Sequence, residues 1–75
     1  MQGWAALDAA LLAAHAAGDG ARLARLYVQA AQAARELGEA ERGWFYLTQG
    51  WIFALEAGDP LAESIAAELR AGGRL

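Results

Sequence analysis

Apolar residues recur along this chain at the spacing of helix faces. Trp4, Leu7, Leu11, Ala14 and His15 share one stripe, and Leu23, Tyr27, Ala30, Ala34 and Leu37 a second. Trp44, Leu47, Trp51 and Leu55 form a third, and Leu61, Ile65 and Leu69, spaced by four, a fourth. Gly18-Asp19-Gly20, Gly38-Glu39 and Gly58-Asp59-Pro60 interrupt the pattern, and Gly72-Gly73 closes the last segment. The pattern predicts four helices over about 4–17, 20–37, 40–57 and 60–71. Strand formers are scarce, with Val28, Thr48, Ile52 and Ile65 the only β-branched residues. Loops this short force successive helices to run antiparallel. The expected fold is all-α: one domain over residues 1–75, built from two helix–turn–helix units at about 3–38 and 43–75. A glycine past each helix end takes the left-handed conformation, Asp19 and Asp59 accept from free N–H groups of the next helix, and Pro60 suits a first helical position.

The third helix is apolar nearly all round. Arg42, Gln49 and Glu56 are its only polar wedge, and Gly43, Gly50, Ala54 and Ala57 fall near one line where another backbone can approach closely. Such a helix belongs in the middle of a bundle. The second helix carries Arg22, Arg25 and Arg35 away from its apolar stripe; they read either as a clamp for a carboxylate or phosphate or as a solvated face. His15 reads as a partly buried packing residue, because it stands 40 residues before Leu55 in an equivalent place, and Asp8 lies two turns away, out of reach as an orienting carboxylate. The fourth helix caps the bundle, with Glu63 and Glu68 facing water.

Composition sharpens this picture. Of 75 residues, 43 are hydrophobic, but 21 of those are alanine, so the core is thin and needs close helix packing or cover from another chain. Cysteine is absent, so no disulfide or zinc–thiolate site staples the domain. A net charge of −3 offers no positive field for nucleic acid. No apolar stretch is long enough to span a bilayer, and Met1-Gln2-Gly3-Trp4 lacks the basic region of a secretory signal, so the expected location is the cytoplasm. Abundant alanine, glycine and arginine without lysine or asparagine is the composition of a GC-rich bacterial genome. Ser64 and Thr48 have no base at helical spacing, and one histidine with scattered acids makes no metal-ligand set. The glycines sit singly at helix ends and wrap no phosphate. A non-catalytic chain without metal or cofactor is expected.

Sliding the chain by 40 residues superposes Gly3-Trp4 on Gly43-Trp44, Leu7 on Leu47, Ala14 on Ala54 and Ala17-Gly18-Asp19 on Ala57-Gly58-Asp59. The chain is thus either a duplication or two hairpins that independently adopted a tryptophan anchor and a Gly-Asp turn. Trp44, Leu47 and Trp51 resemble the W-x2-L-G-x2-Y spacing of tetratricopeptide first helices, with Thr48 in place of the glycine, and Leu23, Tyr27 and Ala30 fit the second-helix pattern. The period is 40 rather than 34, Leu11 stands at the tyrosine position of unit one, and Glu63 occupies a small-residue position of unit two. The resemblance implies protein binding in a groove lined by Arg42, Phe45, Gln49, Ile52 and Phe53, with unit-one counterparts Gln2, Ala5, Ala9, Leu12 and Ala13. Two units fall short of the three or so that such stacks need.

Three readings follow. The first is a small adaptor that binds a partner segment through the aromatic groove, with Arg42 and Gln49 fixing orientation. The second is a structural bundle that self-associates as a homodimer, or a small subunit of a larger assembly. The third is an acidic ligand held by Arg22, Arg25 and Arg35.

Overall fold

The structure is a computed structural model and describes residues 3–75. It contains four helices in antiparallel succession: α1 (Trp4–Ala17), α2 (Gly20–Glu36), α3 (Ala40–Ala57) and α4 (Leu61–Ala71). No strand occurs among the described residues. The predicted boundaries agree to within one residue, since the signals that set them are local. Gly18 and Gly58 adopt nearly the same left-handed conformation, with φ of 66° and 65°. Behind each, the next amide donates back into the helix, Asp19 to the Ala14 carbonyl at 3.0 Å and Asp59 to Ala54 at 2.9 Å. The 40-residue offset in sequence is therefore also an offset in backbone geometry. Asp19 accepts from the Arg22 amide and Asp59 from the Leu61 amide, as expected of caps. Pro60 belongs to the turn, one residue before α4.

The alanines determine how the helices pack. Eight of the fourteen buried hydrophobic residues are alanine, so the core gains contact by close approach of helices more than by bulk. α2 and α3 form the central pair. A Cβ placed on Gly50 would stand 3.1 Å from the Ala24 carbonyl oxygen and 3.3 Å from the Tyr27 Cβ, so the two backbones nearly touch there. One core cluster joins Ala24 and Ala31 of α2 to Leu47 and Ala54 of α3 and to Ala62, Ile65 and Leu69 of α4. A second joins Leu7 and Ala14 of α1 to Leu23, Leu26 and Ala30 of α2. Thus α1 flanks the central pair on one side and α4 on the other. The result is a slab, 31 × 30 × 15 Å along its principal axes.

Two expected core positions lie outside this core. Leu37 is 60% exposed because α2 ends at Glu36, and the chain leaves the helix axis before Leu37 meets a neighbour. Leu55 is 53% exposed at the rim of an open hollow that it lines together with Trp51 and with Ala62, Glu63 and Ala66 of α4. His15, expected to be partly buried, is exposed, yet its ring packs edge-on against Phe53 at 5.6 Å between centroids.

Ion pairs fasten α4 and the tail to the central pair. Arg25 of α2 meets Asp59 at 2.6 Å, Arg35 meets Glu68 at 3.3 Å, and Arg74 donates two hydrogen bonds to Glu41. The Arg35 and Arg74 guanidinium groups each lie 5.1 Å from the Trp44 ring. Gly72 lets the tail cross this indole, because a Cβ there would overlap the Trp44 ring.

The Arg25 hydrogen bond, and after it the Leu61 amide, hold the Asp59 carboxyl below the ordinary carboxylate range. A carboxylate whose pKa is lower in the folded state adds stability above its unfolded pKa, near 4, and that stability is lost as pH falls through the folded value. Asp59→Asn keeps an oxygen for the cap but removes the charge. Acid titration followed by circular dichroism should show the variant less stable than the wild type at neutral pH and less sensitive to acid below about pH 4. Equal acid slopes would exclude Asp59 as a contributor.

Candidate functional site

The central position of α3 divides its surface into sectors. Gly43, Leu47, Gly50 and Ala54 face α2 and are buried, and Trp44 and Trp51 lean on α4. Tyr46 and Phe53 turn toward α1 and α2. What remains is an outer stripe that, among the described residues, none of the other helices covers. On it Phe45 is 59% exposed and Ile52 40%, with the exposed Leu55 at its edge. Leu12 of α1 is 71% exposed. The contacts of Trp4 with Tyr46 and of His15 with Phe53 fix the register of α1 against α3 near the 40-residue offset, which sets Leu12 level with Ile52.

The six residues singled out from sequence are therefore placed differently. Phe45, Ile52 and Leu12 are open to solvent, and Gln49 is half-buried between the two α3 positions. Phe53 is half-buried and stacks on Tyr27 with ring centroids 5.6 Å apart and planes 4° from parallel. Arg42 is exposed but already engaged. Its Nε donates to the Tyr46 hydroxyl at 3.1 Å, one Nη donates to Glu39 at 3.2 Å, and its guanidinium lies 5.0 Å from the Trp4 ring. The Tyr46 hydroxyl, and after it the Glu39 carboxylate, make this guanidinium harder to deprotonate than usual. Gln2, the counterpart of Arg42, lies outside the described residues, and Ala5, Ala9 and Ala13 are exposed.

Tyr46 links these parts, and its role was not apparent from the apolar periodicity. It touches Trp4, Tyr27 and Phe45. Trp4, Tyr46, Phe53 and His15 fill the seam between α1 and α3, with Arg42 lying across its open end. Part of this was readable in advance, because Arg42 and Tyr46 stand four apart on one helix and face each other. The ring contacts with Trp4 required the register of α1.

The arginine face of α2 is largely occupied. Arg25 and Arg35 are paired with Asp59 and Glu68, and the Arg25 pair and its neighbouring charges hold that guanidinium protonated. Beyond the seam, an open hollow of about 400 Å³ lies at the carboxyl ends of α1 and α3, lined by His15, Gly18, Gly20, Leu23, Phe53, Glu56 and Ala57. Thr48 donates its hydroxyl to the Trp44 carbonyl one turn back. Among the described residues no group of three or more His, Cys, Asp or Glu is placed to hold a metal ion, and no helix is long and apolar enough to cross a membrane. Compared with protein-family models, curated proteins and solved structures, the chain has no significant match.

Proposed function

We propose that this chain is a non-catalytic protein-interaction module of tetratricopeptide-like organisation, acting in the bacterial cytoplasm and binding protein through the outer surface of α1 and α3. One observation carries the reading: Phe45 and Ile52 stand exposed on a helix whose opposite side, Gly43, Leu47, Gly50 and Ala54, is buried in the core. Large apolar side chains grouped on one face of a small domain mark an interaction site. Aromatic anchors such as Phe45 concentrate binding energy once a partner excludes water from them. The small, thin core favours the same conclusion, since a partner would supply the cover that 75 residues rich in alanine do not.

Removing the anchors separates binding from folding. Phe45→Ala and Ile52→Ala should each keep the helical circular-dichroism spectrum and weaken association with the partner, identified by cross-linking in the native host, by about tenfold or more. Phe53→Ala is a poorer probe, because its ring also packs against Tyr27 and His15. Unchanged binding by both exposed-site variants would remove this surface from the function.

A further inference from the structure

The outer stripe of α3 has an order that selects among occupants. From the amino to the carboxyl end it presents Arg42, Phe45, Gln49, Ile52 and Glu56, in steps of three and four. Reversed and laid against itself, the stripe sets basic against acidic at both ends, phenyl against isoleucine on both sides, and glutamine against glutamine in the middle. A twofold contact has this property, in which residue i meets residue j and j meets i. We propose that the occupant of this surface is the α3 helix of a second copy of the chain, packed antiparallel across a twofold axis that passes beside Gln49. The proposal rests on the reading of this surface as a docking site and names what docks there.

The charges needed are free to act. Glu56 makes no hydrogen bond or ion pair among the described residues. Arg42 uses only its Nε and one Nη, and a guanidinium has five donors, so the second Nη remains for a partner's carboxylate. Arg42 and Glu56 are about 21 Å apart along the helix, so both intermolecular pairs form at once in one register. Antiparallel pairing also sets the positive end of one helix dipole against the negative end of the other.

Shape favours a helix over an extended segment. Tyr46, Phe53 and Arg42 fill the α1–α3 seam, so the surface offers a ridge on α3 where a peptide would need a trough. Ridges pack into the grooves of a facing helix at about 8–10 Å between axes. A stable interface takes about 800 Å² from each partner, so residues beside the stripe must join the contact. Leu12 and Leu55 flank the stripe and widen the apolar contact.

The full chain, followed by sedimentation from low to high micromolar concentration, should pass from 7.9 kDa to twice that mass. Phe45→Glu and Ile52→Glu should remain helical and monomeric. Glu56→Arg should weaken the dimer about tenfold, and adding Arg42→Glu should restore it. Because the chain has no cysteine, orientation can be read directly. Gln49→Cys should oxidise to a covalent dimer, whereas two copies of Phe45→Cys lie about 12 Å apart along the helices, beyond the reach of a disulfide. A chain that stays monomeric at high micromolar concentration, or equal cross-linking at the two cysteines, overturns the antiparallel pairing. If such a monomer loses a heterologous partner on Phe45→Ala, the docking surface stands and only its occupant changes. A dimer unaffected by Phe45→Glu and Ile52→Glu overturns both.

Discussion

Leu47→Ala is expected to lower the stability of this chain by about 3 kcal/mol, within the range for emptying a filled leucine site. Leu47 is 1% exposed and belongs to the cluster that joins α2, α3 and α4. Its cluster includes Ala24 and Ala31 of α2 and Ile65 and Leu69 of α4, with Val28, Trp44 and Trp51 packed against it, so losing the side chain removes contacts with both neighbouring helices. For a domain of this size 3 kcal/mol is a large share of a total of roughly 4–11 kcal/mol, and it lowers the melting temperature by about 12–24 °C. Thermal unfolding followed by circular dichroism measures it. A shift of only a few degrees would mean that α3 is not the element on which the core depends.

Gly50→Leu is expected to have the second largest effect, by the opposite route. At this position α2 and α3 approach so closely that even a methyl group would meet the Ala24 carbonyl oxygen at 3.1 Å. Gly50→Ala sets this crowding against the gain of about 1 kcal/mol that alanine brings to a helix interior, so its net effect is small. Leucine has the same helix advantage but adds three further carbons in a place where backbone stands. The helices must separate, and overpacking of this kind costs about 3 kcal/mol. Denaturant unfolding should show the leucine variant far below both the wild type and Gly50→Ala. Equal stability of the leucine and alanine variants would mean that the two helices are not in close contact there.

Much of the fold was legible because its signals are local. A glycine that must turn left-handed and an aspartate that caps the next helix mark their positions without knowledge of any neighbour, and the helix limits followed from them. Gly43 and Gly50 also announced a close approach, since glycine in a helix interior is otherwise unfavourable. Periodicity turns Leu37 and Leu55 inward because it assigns a face but does not say where neighbouring helices lie or end. The candidate site divided in the same way. Exposure of Phe45, Ile52 and Leu12 follows from their positions opposite the buried stripes. The packing of Phe53, the engagement of Arg42 and the linking role of Tyr46 depend on how α1 slides against α3. The sequence held only the 40-residue offset as a clue to that register. Arg25 and Arg35 gained partners because α4 passes beside α2, which no pattern within α2 could indicate.

The functional reading rests on a division of labour within α3, in which one side holds the bundle together and the other is left for association. Phe45 and Leu47 are two residues apart and similar in apolar character, yet they lie on these opposite sides. The most direct test is the melting of Phe45→Ala beside Leu47→Ala, at a concentration low enough that every copy is alone. Phe45→Ala should stay within about 0.5 kcal/mol of the wild type, while Leu47→Ala loses about 3 kcal/mol. Comparable losses at the two positions would contradict the division, because Phe45 would then be part of what holds the fold.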